Sequence, residues 1–92
     1  MAELIAPQTP LADSVDITLA AGASTTLLLK SGTADAIPPG AIALIQAKSF
    51  SGTQYVTIGQ LDSGNPIKVL SAAGIFRVRK QLSLIAVGVD QT

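Results

Sequence analysis

The chain reads as an all-β domain, a sandwich or a barrel, on three observations. Val, Ile, Leu and Thr recur with a period of two, as in Val15, Ile17 and Leu19 alternating with Asp16 and Thr18. Gly- and Pro-bearing turn clusters interrupt the chain at short, fairly regular intervals. No stretch between those turns is long enough for an ordinary helix. Residues 27–30 and 41–48 contain helix formers, but their β-branched neighbours and Gly/Pro flanks outweigh that preference.

Taken in order, residues 1–11 hold Pro7 and Pro10 and show no clear period. Each proline lacks a ladder donor and pushes its predecessor toward extended geometry, so 1–11 is expected to be an extended N-terminal arm, pairing at most at Leu4 and Ile5. Residues 12–92 are expected to form the single domain. A first strand begins near Asp13, with Val15, Ile17 and Leu19 on one face. The turn Ala20-Ala21-Gly22-Ala23 leads to a second strand at residues 25–29, which Ser31-Gly32 ends. Residues 33–40 carry Ile37-Pro38-Pro39-Gly40, a stiff loop that cannot sit inside a sheet.

Residues 41–50 make a third strand, with Ala43, Ile45 and Ala47 opposite Ile42, Leu44, Gln46 and Lys48. Ser51-Gly52 signals a hairpin, because Gly tolerates the positive φ such turns require. Residues 53–61 return as a fourth strand, placing Tyr55, Thr57 and Gly59 opposite Val56, Ile58 and Gln60. Asp62-Ser63-Gly64-Asn65-Pro66 is the clearest turn of the chain. Residues 67–70, 75–80 and 82–89 supply the fifth, sixth and seventh strands. The last carries no charge before Asp90, so it is expected either in the middle of a sheet or paired to another chain. Free edges need charges, Pro or bulges to stay unpaired, and charges here are sparse.

Composition bounds the chemistry. Ninety-two residues make one core, and 48 % apolar content is enough to fill it. Only 13 % of residues are charged, about half the usual ~25 %. Six Lys/Arg balance six Asp/Glu, so no net field steers the chain to nucleic acid or to an anionic membrane. A neutral, weakly charged domain is suited to permanent association. No apolar run approaches the length of a bilayer-spanning helix, and residues 1–5 lack the pattern of a secretory signal. The chain is expected to be made in a cytoplasm and to stay there or in something assembled there.

With no His and no Cys, triads built on them and nearly all zinc sites are excluded. The acids are Glu3, Asp13, Asp16, Asp35, Asp62 and Asp90, and in a regular strand Asp13 and Asp16 would lie on opposite faces. Asp62 and Asn65 offer too few oxygens for Ca²⁺, and an Asx-type turn is the expected use of that segment. Phosphate-binding glycine loops are absent. No catalytic residue, metal or cofactor is assigned, and the chain is read as a non-enzyme. The one charge cluster is Arg77-Val78-Arg79-Lys80, with Arg77 and Arg79 on one face and Phe76 and Val78 on the other. It is either a solvated strand face or an interface patch, and with only Phe50, Tyr55 and Phe76 for stacking it is a poor nucleic-acid surface. Tyr55 and Phe76 are expected in the core.

Two phrases carry a resemblance. Ile17-Thr18-Leu19-Ala20-Ala21-Gly22-Ala23-Ser24-Thr25-Thr26-Leu27 and Val69-Leu70-Ser71-Ala72-Ala73-Gly74-Ile75-Phe76-Arg77-Val78 are similar to strand–turn–strand phrases of small phage virion proteins. With the Ala/Ser/Thr/Gly-rich composition, the chain resembles the capsid decoration (cement) proteins of tailed bacteriophages, some of which are jelly-roll sandwiches. The resemblance covers about a quarter of the chain and transfers no site residue. It implies an antiparallel, jelly-roll-like β-sandwich of seven to eight short strands, with an extended N-terminal arm. It also implies a structural role in the virion capsid, with the major capsid protein or another virion protein as partner, and a homo-oligomer. Candidate partner-binding residues are Leu4, Ile5 and Pro7 of the arm and Arg77, Arg79 and Lys80. The alternative is a carbohydrate- or receptor-binding module of a tail or fibre, for which Phe50 and Tyr55 would lie side by side facing solvent. A small assembly domain of a tail or baseplate is a third reading.

Overall fold

A computed structural model of the chain describes residues 2–32, 37–52 and 54–92. The expectations for Met1, for 33–36 of the Pro-Pro loop (Asp35 among them) and for Thr53 fall outside the described residues. The rest forms nine strands: β1 (Ala2–Gln8), β2 (Ala12–Asp13), β3 (Ile17–Leu19), β4 (Thr25–Ser31), β5 (Ala43–Lys48), β6 (Tyr55–Leu61), β7 (Ile67–Leu70), β8 (Gly74–Lys80) and β9 (Val87–Gln91). They build two antiparallel sheets, one in the order β1-β9-β4-β7 and the other β2/β3-β8-β5-β6, with β2 and β3 both on β8. Counting β2 and β3 as one interrupted strand gives eight. The first then pairs with the last, the second with the seventh, the third with the sixth, and the fourth with the fifth. That is a long antiparallel ribbon rolled on itself, a jelly-roll form of the sandwich that the sequence periodicity left open against a barrel.

Alternation explains the core. Leu27, Leu29, Val87 and Val89 of one sheet face Ala43, Ile45, Phe76 and Val78 of the other, and all are buried. Ile17, Leu19, Leu61 and Leu70 close the flanks. Where a turn demands an unusual backbone, Gly supplies it. Gly52, at φ +79°, lets the β5–β6 hairpin close, with its N–H on the Ser49 carbonyl at 2.8 Å.

Four segments depart from the sequence reading, each for a physical reason. Residues 2–8 are an edge strand of the first sheet, not an arm standing off it. The edge position tolerates Pro7, and two register shifts against β9 absorb its missing donor. Residues 13–19 do not keep a single phase. Ser14 donates its N–H to the Val78 carbonyl, and its Oγ accepts from the Val78 N–H, both near 2.9 Å. One extra residue is thereby inserted, so Ser14 is buried and Val15 stands in solvent.

A second bulge shifts the β5–β6 register between Ile45 and Gln46, so Tyr55 and Thr57 do not share a face with Gly59. The last strand starts at Val87, not Leu82, and it is central in its sheet, between β1 and β4. Residues 82–86 lie outside it as a loop that carries Leu82, Leu84 and Ile85 into solvent.

Candidate interaction surface

Register places a set of polar side chains on the outer face of the β2/β3-β8-β5-β6 sheet. Asp13 stands opposite Arg79, Arg79 opposite Leu44, Arg77 opposite Gln46, and Lys48 opposite Tyr55. The Ser14 bulge then brings Asp16 onto this same face, where regular alternation would have sent it to the other. Asp13 accepts two bonds from Arg79, at 2.7 and 3.2 Å, and lies 3.8 Å from Arg77. The Arg77 guanidinium sits 3.7 Å from the Tyr55 ring centre and donates through Nε to Gln46 Oε1 at 2.8 Å. Tyr55 donates its hydroxyl proton to Asp16 at 2.5 Å, and Lys48 lies 3.7 Å from the same carboxylate.

The electrostatics follow from these contacts. The Arg79 hydrogen bond, helped by the charges of Arg79 and Arg77 and opposed by partial burial, holds Asp13 below the usual carboxylate range. The bond to Asp16 raises the Tyr55 hydroxyl above its ordinary value. Its acceptor is a carboxylate, so Tyr55 stays the donor. The network is closed on itself: Asp13 with Arg79, Tyr55 with Asp16, Arg77 with Gln46. What it provides is a stiff polar plate in which each charge already has a partner.

The six residues singled out in the sequence do not come together. Leu4, Ile5 and Pro7 are on β1 of one sheet, and Arg77, Arg79 and Lys80 are on β8 of the other. Ile5 is buried at 3 % exposure in register with Val89, and Leu4 packs against the core. Pro7 lies against Gly32. Arg77 and Arg79 face outward as expected, with Phe76 and Val78 inward.

Lys80 does not face outward with the arginines. It is fully buried, on the core side between Ala12 and Ala43, and its Nζ donates to the carbonyls of Thr9, Pro10 and Gln81 at 2.9–3.1 Å. Burial pushes its ammonium below the ordinary lysine value. Neither Ile5 nor Lys80 offers its side chain to a partner in this fold. Asp62 behaves as the turn residue expected: Oδ1 accepts from the N–H groups of Gly64 and Asn65, and Oδ2 from Gln60. These bonds, that from Gln60 first, hold its carboxyl below the usual carboxylate range.

Sequence reasoning missed the exposed apolar side chains. At the end of the sandwich where β9 begins, Leu82, Leu84 and Ile85 join Pro38, Pro39, Gly40 and Ala41 around an open depression of about 290 Å³. Leu84 there is fully exposed. At the opposite end Phe50 is also fully exposed, on the rim of a depression shared with Lys48, Ser49, Gly52, Gly74 and Ile75. Val56 and Ile58 of β6 are each more than half exposed, and so are Ile67 and Val69 of β7, which stand opposite Leu28 and Thr26 on the outer face of the other sheet. Tyr55 lies outside the core on the polar plate, its ring covered by Arg77, whereas Phe76 is buried as expected. The signal for the apolar end was present in the sequence: an uncharged run longer than one strand has to leave part of itself outside the sheet.

Comparison with known proteins finds no matching family model, no related curated protein and no similar solved structure. The fold and surface themselves define an all-β, two-layer sandwich with an internally paired polar cluster on one outer face and aliphatic residues in part turned outward.

Proposed function

We propose that this chain is a non-enzymatic structural protein of a tailed-phage virion, one that binds and stabilises the capsid shell as a decoration (cement) protein. The observation that carries the reading is the set of large aliphatic residues turned into solvent at one end of the sandwich, Leu82, Leu84 and Ile85. Exposed apolar groups gathered on one patch mark contact surfaces. A jelly roll is an architecture used in capsid and lectin domains, which supports the reading by analogy of fold. A cement role asks for no chemistry. It asks for a stiff body with an adhesive outline, and many weak contacts repeated over a lattice sum to strong attachment because each after the first is effectively intramolecular.

The test is immunogold labelling of particles purified from the cells that make the chain. Label over the capsid heads is the expected result. Label confined to tails, or absent from particles, overturns it.

A second reading, a carbohydrate- or receptor-binding module of a tail or fibre, is favoured by one observation: Phe50 stands fully exposed beside a shallow depression. Aromatic faces suit sugar rings. That reading predicts tail label in the same experiment, together with retention on a glycan array that Phe50→Ser abolishes.

A further inference from the structure

The sandwich has four strand edges, and three of them carry the features that keep edges unpaired. β1 holds Pro7, two register shifts, and Glu3 paired with Lys30 at 2.7 Å. The β2/β3 edge is split by the Ser14 bulge and bears Asp13 and Asp16. β7 is only four residues long, begins just after Pro66 and contains Lys68. β6 differs from all three. It runs seven residues, Tyr-Val-Thr-Ile-Gly-Gln-Leu, with no charge and no proline, and among the described residues it pairs with β5 alone. Its one protective feature is the bulge near Thr57 and Ile58. The inserted residue is an isoleucine more than half exposed, which presents an aliphatic knob where other edges present a charge.

We propose that β6 is a self-association edge, where a second copy of this chain docks its own β6 antiparallel across a two-fold axis. Three arguments select a second copy. An antiparallel strand pair is self-complementary under a two-fold, so one sequence can serve both partners. Self-pairing of β6 brings no like charges together, and the chain as a whole has equal numbers of acids and bases, so copies do not repel. The length also suits pairing: seven residues extend over about 23 Å, so two copies can align along the whole of β6. Val56 and Ile58 supply its exposed apolar side chains. Lys68, whose stem lies over Gly59, and Asp62, which follows β6 and accepts from Gln60, carry opposite charges beside this edge. This inference does not rest on the capsid reading and is tested without particles.

The experiment is sedimentation velocity of the full chain from micromolar to millimolar concentration, with Ile58→Lys and, at the far end, Leu84→Ser. The expected result is a concentration-dependent shift from 9.3 kDa to twice that mass. Ile58→Lys should raise the midpoint at least tenfold at unchanged Tm, while Leu84→Ser leaves it in place. Backbone amide exchange of residues 55–61 should slow on dimerisation, an observation independent of any variant. A chain monomeric at every concentration overturns the proposal. So does an oligomer that survives Ile58→Lys, or one that Leu84→Ser dissolves.

Discussion

Lys80→Met isolates one interaction at nearly constant volume. The lysine stem runs through the core side of β8, and methionine fills that path, so what is lost is the ammonium and its three bonds to the Thr9, Pro10 and Gln81 carbonyls. Those bonds tie the corner between β1 and β2 to the end of β8, which joins the two sheets. Hydrogen bonds to a charged group are worth roughly 1.5–3 kcal/mol each in net terms. Against them stands the cost of keeping an ammonium out of water, several kcal/mol. Thr9 and Pro10 are exposed, so water can recover part of their bonding once the lysine is gone.

The expected balance is a loss of about 2–3 kcal/mol, taken as roughly one of the three bonds surviving the offset. For a domain of this size that is a fall in Tm of roughly 10–20 °C, since each kcal/mol moves Tm by about 4–8 °C. Urea unfolding followed by circular dichroism, with thermal melts alongside, measures it. An unchanged or raised Tm would show that the desolvation cost cancels the three bonds, and would refute the assignment of Lys80 as the corner's anchor.

Further outcomes follow from the same structure. Ser14→Ala leaves the buried Val78 N–H without its acceptor and should cost about 1–3 kcal/mol in urea unfolding; a neutral variant would mean the bulge does not depend on the hydroxyl. Gly88→Ala drives a Cβ into the Ile5 carbonyl and to within 2.9 Å of the Pro7 nitrogen, so β1 must shift. The expected loss is about 1–3 kcal/mol, with faster amide exchange confined first to residues 2–8; uniform exchange across the sheet would contradict it. Asp13 and Asp62 are both held below the unfolded value of 3.8. The unfolded chain therefore binds protons first, and the stability these groups contribute is complete above 3.8 and lost as pH falls through their folded values. Asp13→Asn should flatten that acid limb of the Tm–pH curve, and an unaltered limb would remove Asp13 from the account.

Much of the fold could be read from the residues because β4 and β8 keep regular alternation and the elements are separated by clear turns. Ala43 and Ile45 fell inward, and Arg77 and Arg79 outward, as period two requires. What could not be read depends on partners distant in sequence. Whether Pro7 ends a strand or sits in one is decided by its being on an edge, beside Gly32 and Gly88, which only the assembled sheet reveals. The bulge at Ser14 exists because Val78, sixty-four residues away, supplies both a donor and an acceptor. Without it Asp13 and Asp16 could not share a face, so the polar plate with Tyr55 and Arg77 had no local signature. Lys80 reads as the third member of a basic cluster, yet period two places it with Phe76 and Val78, and the carbonyls of Thr9, Pro10 and Gln81 make that burial tolerable. Residues 82–86 are as apolar as a strand, and composition alone cannot distinguish a buried run from an adhesive one.

The most direct test of the adhesive role is to count copies by quantitative mass spectrometry of purified particles, intact and with tails removed. A structural shell component predicts a fixed ratio to the main shell subunit that survives tail removal. Loss of the chain with the tails, or its absence from both preparations, would contradict the account.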